Sequence, residues 1–204
     1  MAVYLHIDTS EAAGLIERMR AVHTKKEFES VMYRAFKRTG ARVKTIMAQN
    51  LPTQYEVKPS LVRSAVGTPR TTIGGGTGVS CCIPIEGVRH SIGGTFSATG
   101  GAHGWNIRKG KRYKITARIT KNTRSTLPAE MTAYGGEPPF RNLSFSKVAF
   151  TRKGKDRLPI AKVVGIGIPQ MPMNRSQQDV QDDIMETLMK RIEHEHQYIV
   201  SKCR

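Results

Sequence analysis

The sequence changes character at Thr68, and this change restricts the chain to a mixture of helices and strands. Before Thr68, apolar residues recur at the three- and four-residue intervals of amphipathic helices. From Thr68 the chain is dense in glycine, threonine and serine, with short β-type runs between turn signals. We therefore predict an α+β fold with an N-terminal strand and two helices, a glycine-rich antiparallel β-sheet and a long C-terminal helix. Residues 1–204 would form a single domain, with residues 68–140 as a glycine-rich β or loop insertion or arm.

The longer of the two N-terminal helices has clear start and stop signals. Thr24 and Glu27 have the spacing of a capping box, and the helix is expected to end near Asn50 and Pro52. Pro59 is placed to begin a further short helix. The long helix should bury Phe28, Val31, Met32, Ala35, Phe36, Val43, Ile46 and Met47.

The C-terminal half contains three predicted strands and a helix. Alternation predicts strands over residues 112–120 and 143–152. The apolar run 158–164 is expected to form a strand that buries both faces, after which Gly165 and Gly167 let the chain turn. The final helix should run over residues 176–200, with an apolar stripe at Val180, Ile184, Leu188, Ile192 and Ile199.

Charge is the main indication of function. The chain has 33 Lys and Arg against 16 Asp and Glu, a formal net charge of +17. Such an excess favours polyanions, through attraction and counterion release, or acidic protein surfaces. The alternative is a basic solvated surface with no specific partner.

Three groups of cations could form the contact. Two Arg-Lys-Gly-Lys sequences each contain a glycine that can place basic side chains at a loop tip, and the long helix has a cationic outer face. The aromatic content is only 6%, so we expect contact with phosphates rather than stacking on bases. The candidate residues for contact with phosphate, DNA or an acidic partner are Arg108, Lys109, Lys111, Arg112, Arg152, Lys153, Lys155, Arg34, Lys37 and Arg38.

Signals for catalysis, cofactors and metals are weak. The run of glycines at 74–76 lacks the Gly-Lys-Ser/Thr ending of a nucleotide loop. His194 and His196 lie two residues apart on a predicted helix, so they cannot share a metal, and we expect this His-Glu-His-Gln segment to be solvated. Cys82 has no activating motif, which leaves a hydrolase using Cys82 or the histidines poorly motivated. We therefore expect no enzyme activity, no cofactor and no metal site.

Two blocks of the sequence carry a family resemblance. Residues 32–66 contain MYRAFKRTGARVKTIMAQNLPTQYEVKPSLVRSAV, and residues 148–171 contain VAFTRKGKDRLPIAKVVGIGIPQM, followed by the final helix. The motifs in these blocks, with their order and spacing, resemble those of the minor tail protein Z family of bacteriophages and prophages, a group of tail-completion proteins. Two departures are Phe36-Lys37, where the family pattern has Leu/Ile-Asn, and a longer glycine-rich middle.

The resemblance implies a structural virion protein. Family members act at the head-proximal end of the tail, as terminator-like rings needed for tail assembly and head–tail joining. The implied partners are other copies of the chain in a ring, expected to be a hexamer, the tail tube protein, neck or head–tail connector proteins, and DNA in the channel through non-specific phosphate contact. We expect no membrane association, and assembly in the cytoplasm of the host bacterium. The expected hinge or subunit contact consists of Leu158, Pro159, Gly165, Gly167, Pro169, Gln170 and Met171.

An alternative hypothesis for the function does not involve a virus particle. The net charge and the isoelectric point near 10.2 also suit a cytoplasmic protein that binds nucleic acid without sequence preference. Steep dependence of binding on salt would be its signature.

Overall fold

A computed structural model of the chain describes residues 2–6, 12–73, 79–101, 115–127, 139–152, 158–174 and 177–202. The fold is α+β, with helices near the N-terminus, small antiparallel sheets in the middle and a long C-terminal helix, as predicted. The helices are α1 (Ala13–Val22), α2 (Lys25–Gln54), α3 (Pro59–Ala65) and α4 (Gln177–Lys202). The strands are β1 (Ala2–His6), β2 (Arg70–Ile73), β3 (Val79–Glu86), β4 (Arg89–Ser91), β5 (Ser97–Thr99), β6 (Thr116–Thr120), β7 (Thr123–Thr126), β8 (Phe150–Arg152), β9 (Ile160–Lys162) and β10 (Val164–Gly167).

The chain divides into two compact units. The helical unit comprises Met1–Leu51, Pro59–Gly87 and Ile168–Arg204, and the β unit comprises Pro52–Lys58 and Val88–Gly167. The segment 68–140 is shared between them, since β2 and β3 belong to the helical unit and β4 to β7 belong to the β unit.

Helix α2 begins with the predicted capping box. The Thr24 backbone N–H donates to Glu27 Oε2 over 2.9 Å, and the Glu27 N–H points back to Thr24 Oγ1 over 3.4 Å. Each side chain thus satisfies a backbone donor that the first helical turn leaves open. All eight residues of the predicted apolar face are buried.

Helix α2 continues two residues beyond Pro52, near which its end was expected, and finishes at Gln54. Proline removes one backbone donor, which costs the helix a single bond near its end. Burial of Leu51 and Tyr55 on either side of this point favours the extra turn. The Gln54 carbonyl, which faces the open end of the helix, accepts a 2.8 Å hydrogen bond from the Lys121 N–H.

In the helical unit, α2 lies close to a three-stranded sheet with the order β1-β3-β2. The central strand alternates as a half-buried strand should, with Cys81, Ile83 and Ile85 facing the core. At Gly40 of α2 the backbones approach closely, since a Cβ there would lie 2.9 Å from Pro69 Cβ and 3.0 Å from Cys81 Sγ. The close approach therefore depends on glycine at this position.

Helix α4 supplies the other large apolar face of the helical unit. Val180, Ile184, Leu188 and Ile192 are fully buried, which confirms most of the predicted stripe. Ile199, nearer the C-terminus, is only half-buried.

The β unit has its own core beneath short ladders. The paired strands are β5-β6-β7, β4-β10 and β8-β9, and all of these pairs are antiparallel. Three buried residues are joined through their backbones, because Ala149 donates to Ile92, Ile92 to Val163 and Val163 to Ala149 over 2.8–2.9 Å. The core cluster consists of Ile92, Ile115, Ala117, Leu127, Ala149 and Val163.

Of the predicted strand over residues 143–152, only Phe150–Arg152 is a strand. The preceding residues form a turn around Asn142, whose side-chain oxygen accepts from the Ser144 N–H and whose carbonyl accepts from Phe145 and Ser146. Asparagine competes for backbone donors in this way, so the local turn overrides the alternating pattern. For the predicted strand over residues 112–120, β6 confirms the part from Thr116, and residues 112–114 lie outside the described ranges.

The segment 158–167 also differs from its prediction. Instead of one strand buried on both faces it forms β9 and β10, and Leu158, Ile160 and Val164 are 68%, 38% and 41% exposed. The physical reason is that β9 and β10 join different two-stranded ladders. Gly165 and Gly167 lie within β10 and neither has a positive φ, so they make no turn there.

The residues that follow β10, from Ile168 onward, belong to the helical unit. Ile168–Gln170 form a 3-10 turn in which Ile168 and Pro169 are buried, and the Met171 side chain that follows is also buried. The boundary between the two units falls between Gly167 and Ile168. The hinge interpretation of this stretch stays a prediction.

Gly165 offers a test of packing in the β unit. A Cβ at this position would lie 2.9 Å from Cε2 of the fully buried Phe96 ring. We expect Gly165→Ala to lower the free energy of unfolding by about 1–3 kcal/mol through overpacking. Urea unfolding followed by circular dichroism measures the change.

Gly14→Ala is the matched control, because a Cβ at Gly14 in α1 would meet nothing within 4 Å. This variant should gain about 0.5–1 kcal/mol from helix propensity. An unchanged midpoint for Gly165→Ala would contradict the packing described for β10.

Candidate functional site

Two of the three predicted cations on α2 are paired within the protein. Arg38 Nη1 lies 2.5 Å from Glu195 Oε1, and Arg34 Nη1 lies 3.7 Å from Glu195 Oε2. The Glu195 side chain is only 3% exposed, whereas both arginine side chains keep about half of their surface in water. The contact to Arg38 is an ion pair without regular hydrogen-bond geometry. Both guanidinium groups therefore have a carboxylate partner before any external anion arrives.

Lys37 remains exposed on α2. Its ammonium group lies 5.8 Å from the centre of the Tyr33 ring, a cation–π distance. Of the three candidate residues on this helix, Lys37 alone has no carboxylate partner among the described residues.

The expectation that the His-Glu-His-Gln segment is solvated was wrong for two of its residues. Glu195 is buried, and His196 Nδ1 lies 2.6 Å from Nε2 of His23 at the end of α1. One imidazole donates and the other accepts, with the rings edge to face at 82°. His194 is exposed, as predicted. These contacts fasten α4 to α1 and α2 inside the helical unit.

The net charge is concentrated in the β unit. By sequence, the helical unit has 16 Lys and Arg against 12 Asp and Glu, and the β unit has 17 against 4. Their net charges of +4 and +13 together give the +17 of the whole chain. Among the described residues of the β unit, Glu56 is the sole carboxylate beside nine Lys and Arg. Any polyanion is therefore attracted chiefly to this unit.

The predicted loop clusters lie largely outside the described residues. This applies to Arg108, Lys109, Lys111, Arg112, Lys153 and Lys155. Arg152 is described as the last residue of β8, and its guanidinium lies 5.7 Å from the centre of the Phe140 ring.

A hairpin that was not among the candidates also carries cations. Strands β6 and β7 are joined by a turn at Lys121 and Asn122, and Lys121 and Arg124 are exposed. Arg118 is held in place, because it lies 3.4 Å from Glu56 Oε2 and its Nε donates to the Lys121 carbonyl over 2.6 Å. The sequence signal was the polar Lys-Asn pair between two threonine-rich alternating runs.

Arg141 has a structural role. It is buried and donates to the carbonyls of Lys147, Ala98 and Gly100 over 2.6, 2.7 and 3.3 Å. Three carbonyls satisfy this guanidinium, so it stabilises the loops around β5 rather than facing a ligand.

Other reactive groups have unremarkable surroundings. Burial raises the pKa of the Cys81 thiol, which accepts a weak 3.7 Å contact from Thr71 Oγ1. A buried thiol with a raised pKa is a poor nucleophile. Within the described ranges, no three His, Cys, Asp or Glu side chains are grouped to hold a metal ion. No described helix is both long enough and apolar enough to cross a membrane.

Comparisons with family models, with curated proteins and with solved structures found no match for this chain. The candidate site therefore stands on the residues, their contacts and the distribution of charge.

The buried carboxylate gives a direct test of the helical contact. We expect Glu195→Gln to lower the free energy of unfolding by about 2 kcal/mol, less than the usual loss for a broken buried pair because both arginines are half exposed. Chemical unfolding of the whole chain measures the difference.

Glu193→Gln removes the same charge from an exposed position two residues earlier in α4. It should change stability by less than about 0.5 kcal/mol. Equal losses for the two variants would show that the buried ion pair does not hold α2 to α4.

Proposed function

We propose that this chain is a structural phage tail protein of the tail-completion type, which forms a terminator-like ring at the head-proximal end of the tail. The observation that carries the proposal is the series of motifs over residues 148–171, which resembles the motif order of the minor tail protein Z family. The proposed role is structural, in tail assembly and head–tail joining, and includes no catalysis.

The exposure of the same segment supports the proposal. Leu158, Ile160 and Val164 belong to a stretch apolar enough for a core, yet each leaves more than a third of its surface open in the single chain. Within the described residues β9 pairs with β8 alone, so its outer edge has no backbone partner there. Apolar side chains beside a free strand edge are suited to a contact between copies.

A ring imposes a condition on such a contact. Head-to-tail association places one patch against a different patch of the next copy, and a closed ring results when the rotation closes. The apolar segment would supply one of the two patches. Other copies of the chain, the tail tube protein and the neck or connector proteins are the proposed partners, and a hexamer is the proposed ring.

The distribution of charge fits the path of DNA through such a ring. A β unit with 17 basic and 4 acidic residues can contact phosphates of any sequence. The same observation favours a second candidate, a cytoplasmic protein that binds nucleic acid without sequence preference. The two candidates differ in the ring and in the need for tails, and both include contact with polyanions.

Leu158→Asp tests the proposed contact. The side chain is exposed in the single chain, so a carboxylate is tolerated there, but it would place a charge in an apolar interface. We expect rings of the wild-type protein by negative-stain microscopy and sedimentation, and dissociated subunits for this variant. Tails assembled with the variant as their only copy should be misformed or fail to join heads.

Val200→Asp introduces the same charge at another exposed apolar position, near the end of α4. It should retain both rings and head–tail joining. Normal, infectious particles made without the protein would contradict the proposed function.

A further inference from the structure

The sheet β5-β6-β7 has one apolar face and one polar face. Ala98 and Ala117 turn inward to the core cluster of the β unit. The alternate residues pair across the strands, with Ser97 opposite Arg118 and Thr116 opposite both Thr99 and Thr126. Side chains opposite each other on neighbouring strands share a face. We call the polar side the hairpin face, which consists of Ser97, Thr99, Thr116, Arg118, Arg124 and Thr126, with Lys121 at its turn.

Hydroxyl groups and cations make up this face. Thr99 Oγ1 and Thr116 Oγ1 lie 2.5 Å apart, and Ser97 donates to Glu56 Oε2 over 3.1 Å. Every residue of β7 is exposed, and Arg124 lies two positions from Thr126 on the same side of the strand. Hydroxyl and guanidinium groups are the side chains that proteins use for phosphate oxygens.

Glu56, the only carboxylate among the described residues of the β unit, already has partners within the protein. Glu56 contacts Arg118 and Ser97, and Arg118 also holds the turn through the Lys121 carbonyl. Lys121 and Arg124 form no ion pair within the described part of the unit. The β6–β7 hairpin therefore presents two exposed cations, which have no ion-pair partner among the described residues, beside a row of hydroxyl groups.

We propose that the hairpin face binds the sugar–phosphate backbone of double-stranded DNA. This inference rests on the polyanion contact included in the proposed function, and it assigns that contact to a surface. The face has no aromatic side chain, so it lacks the stacking platform that single strands require. It also lacks the apolar centre of a protein–protein interface, which disfavours an acidic protein as the partner.

The alternative cations on α2 are less suited to this role. Arg34 and Arg38 share the buried Glu195 carboxylate, and a phosphate would have to compete with it. No such competition exists for Lys121 and Arg124 within the described residues. The hairpin face is preferred over Arg34 and Arg38 because of this difference in pairing. It is preferred over Lys37, which also lacks a carboxylate partner among the described residues, because the β unit has the larger net charge, +13 against +4.

The test compares two doubly neutralised variants of the full chain. Lys121→Gln with Arg124→Gln removes the hairpin cations, and Arg42→Gln with Lys44→Gln removes two exposed cations from α2. Binding to a duplex of random sequence is followed by fluorescence anisotropy over a range of salt concentrations. Urea unfolding of both variants checks that the fold is retained.

Wild-type protein should bind with a steep dependence on salt. The slope of log K against log salt should fall by about 1.8 for the hairpin variant, since each lost phosphate contact removes about 0.9. The α2 variant should keep the wild-type slope. Wild-type binding with equal slopes for all three proteins would overturn the assignment of the surface while leaving the polyanion contact intact.

Absence of wild-type binding at low salt would overturn both the surface and the DNA contact of the proposed function. Rings and tail joining would be unaffected by that result, so the two failures can be told apart. Binding that an acidic polypeptide displaces more readily than a second duplex does would instead point to an acidic protein partner and overturn the inference.

Discussion

The buried carboxylate of Glu195 is the interaction on which the helical unit depends. The Glu195 side chain extends from α4 and forms ion pairs with Arg34 and Arg38 of α2. The next residue of α4, His196, contacts His23 at the end of α1. A carboxylate in an apolar contact is tolerated only with such partners, because the cost of removing it from water is high. The polar contacts thus fix how α4 lies against the N-terminal helices, and the apolar stripe from Val180 to Ile192 supplies the burial.

The same interaction changes where the cations are available. A helix whose outer face is strongly basic in sequence has two of its arginines paired with a single buried carboxylate of α4, which compensates one of their two charges. By sequence, the helical unit has a net charge of +4 and the β unit has +13. Net charge far from zero opposes compaction and favours polyanionic partners. In the proposed tail ring, the β unit would meet DNA, and the apolar segment at residues 158–164 would meet the next copy.

The structure agrees with the prediction from sequence wherever a single local signal decides the structure. The capping box at Thr24 and Glu27 and the stripes of α2 and α4 follow from spacing alone. The prediction was wrong where pairing between distant segments decides the structure. The apolar run at 158–164 is divided between two β-ladders, and hydrophobic periodicity alone cannot predict this division. At residues 143–149 a local turn at Asn142 overrode the strand pattern.

The candidate site shows the same limit. Glu195 lies three residues after the buried Ile192, so its position on the core face could have been read from helical spacing. Its partners on α2 could not, because they depend on which helices pack together. The charge of the hairpin at Lys121 is visible in the sequence, but only the fold shows that Lys121 has no carboxylate partner among the described residues. Whether a cationic side chain has a carboxylate partner is decided by the tertiary structure.

The division of charge between the two units can be tested by lysine footprinting. Acetylation of the full chain, with and without duplex DNA, reports by mass spectrometry which exposed amines become covered. If the β unit makes the contact, DNA slows acetylation of Lys121 and leaves Lys25 and Lys44 of α2 unchanged. Protection of the α2 lysines with Lys121 still reactive would contradict the assignment of the polyanion contact to the β unit.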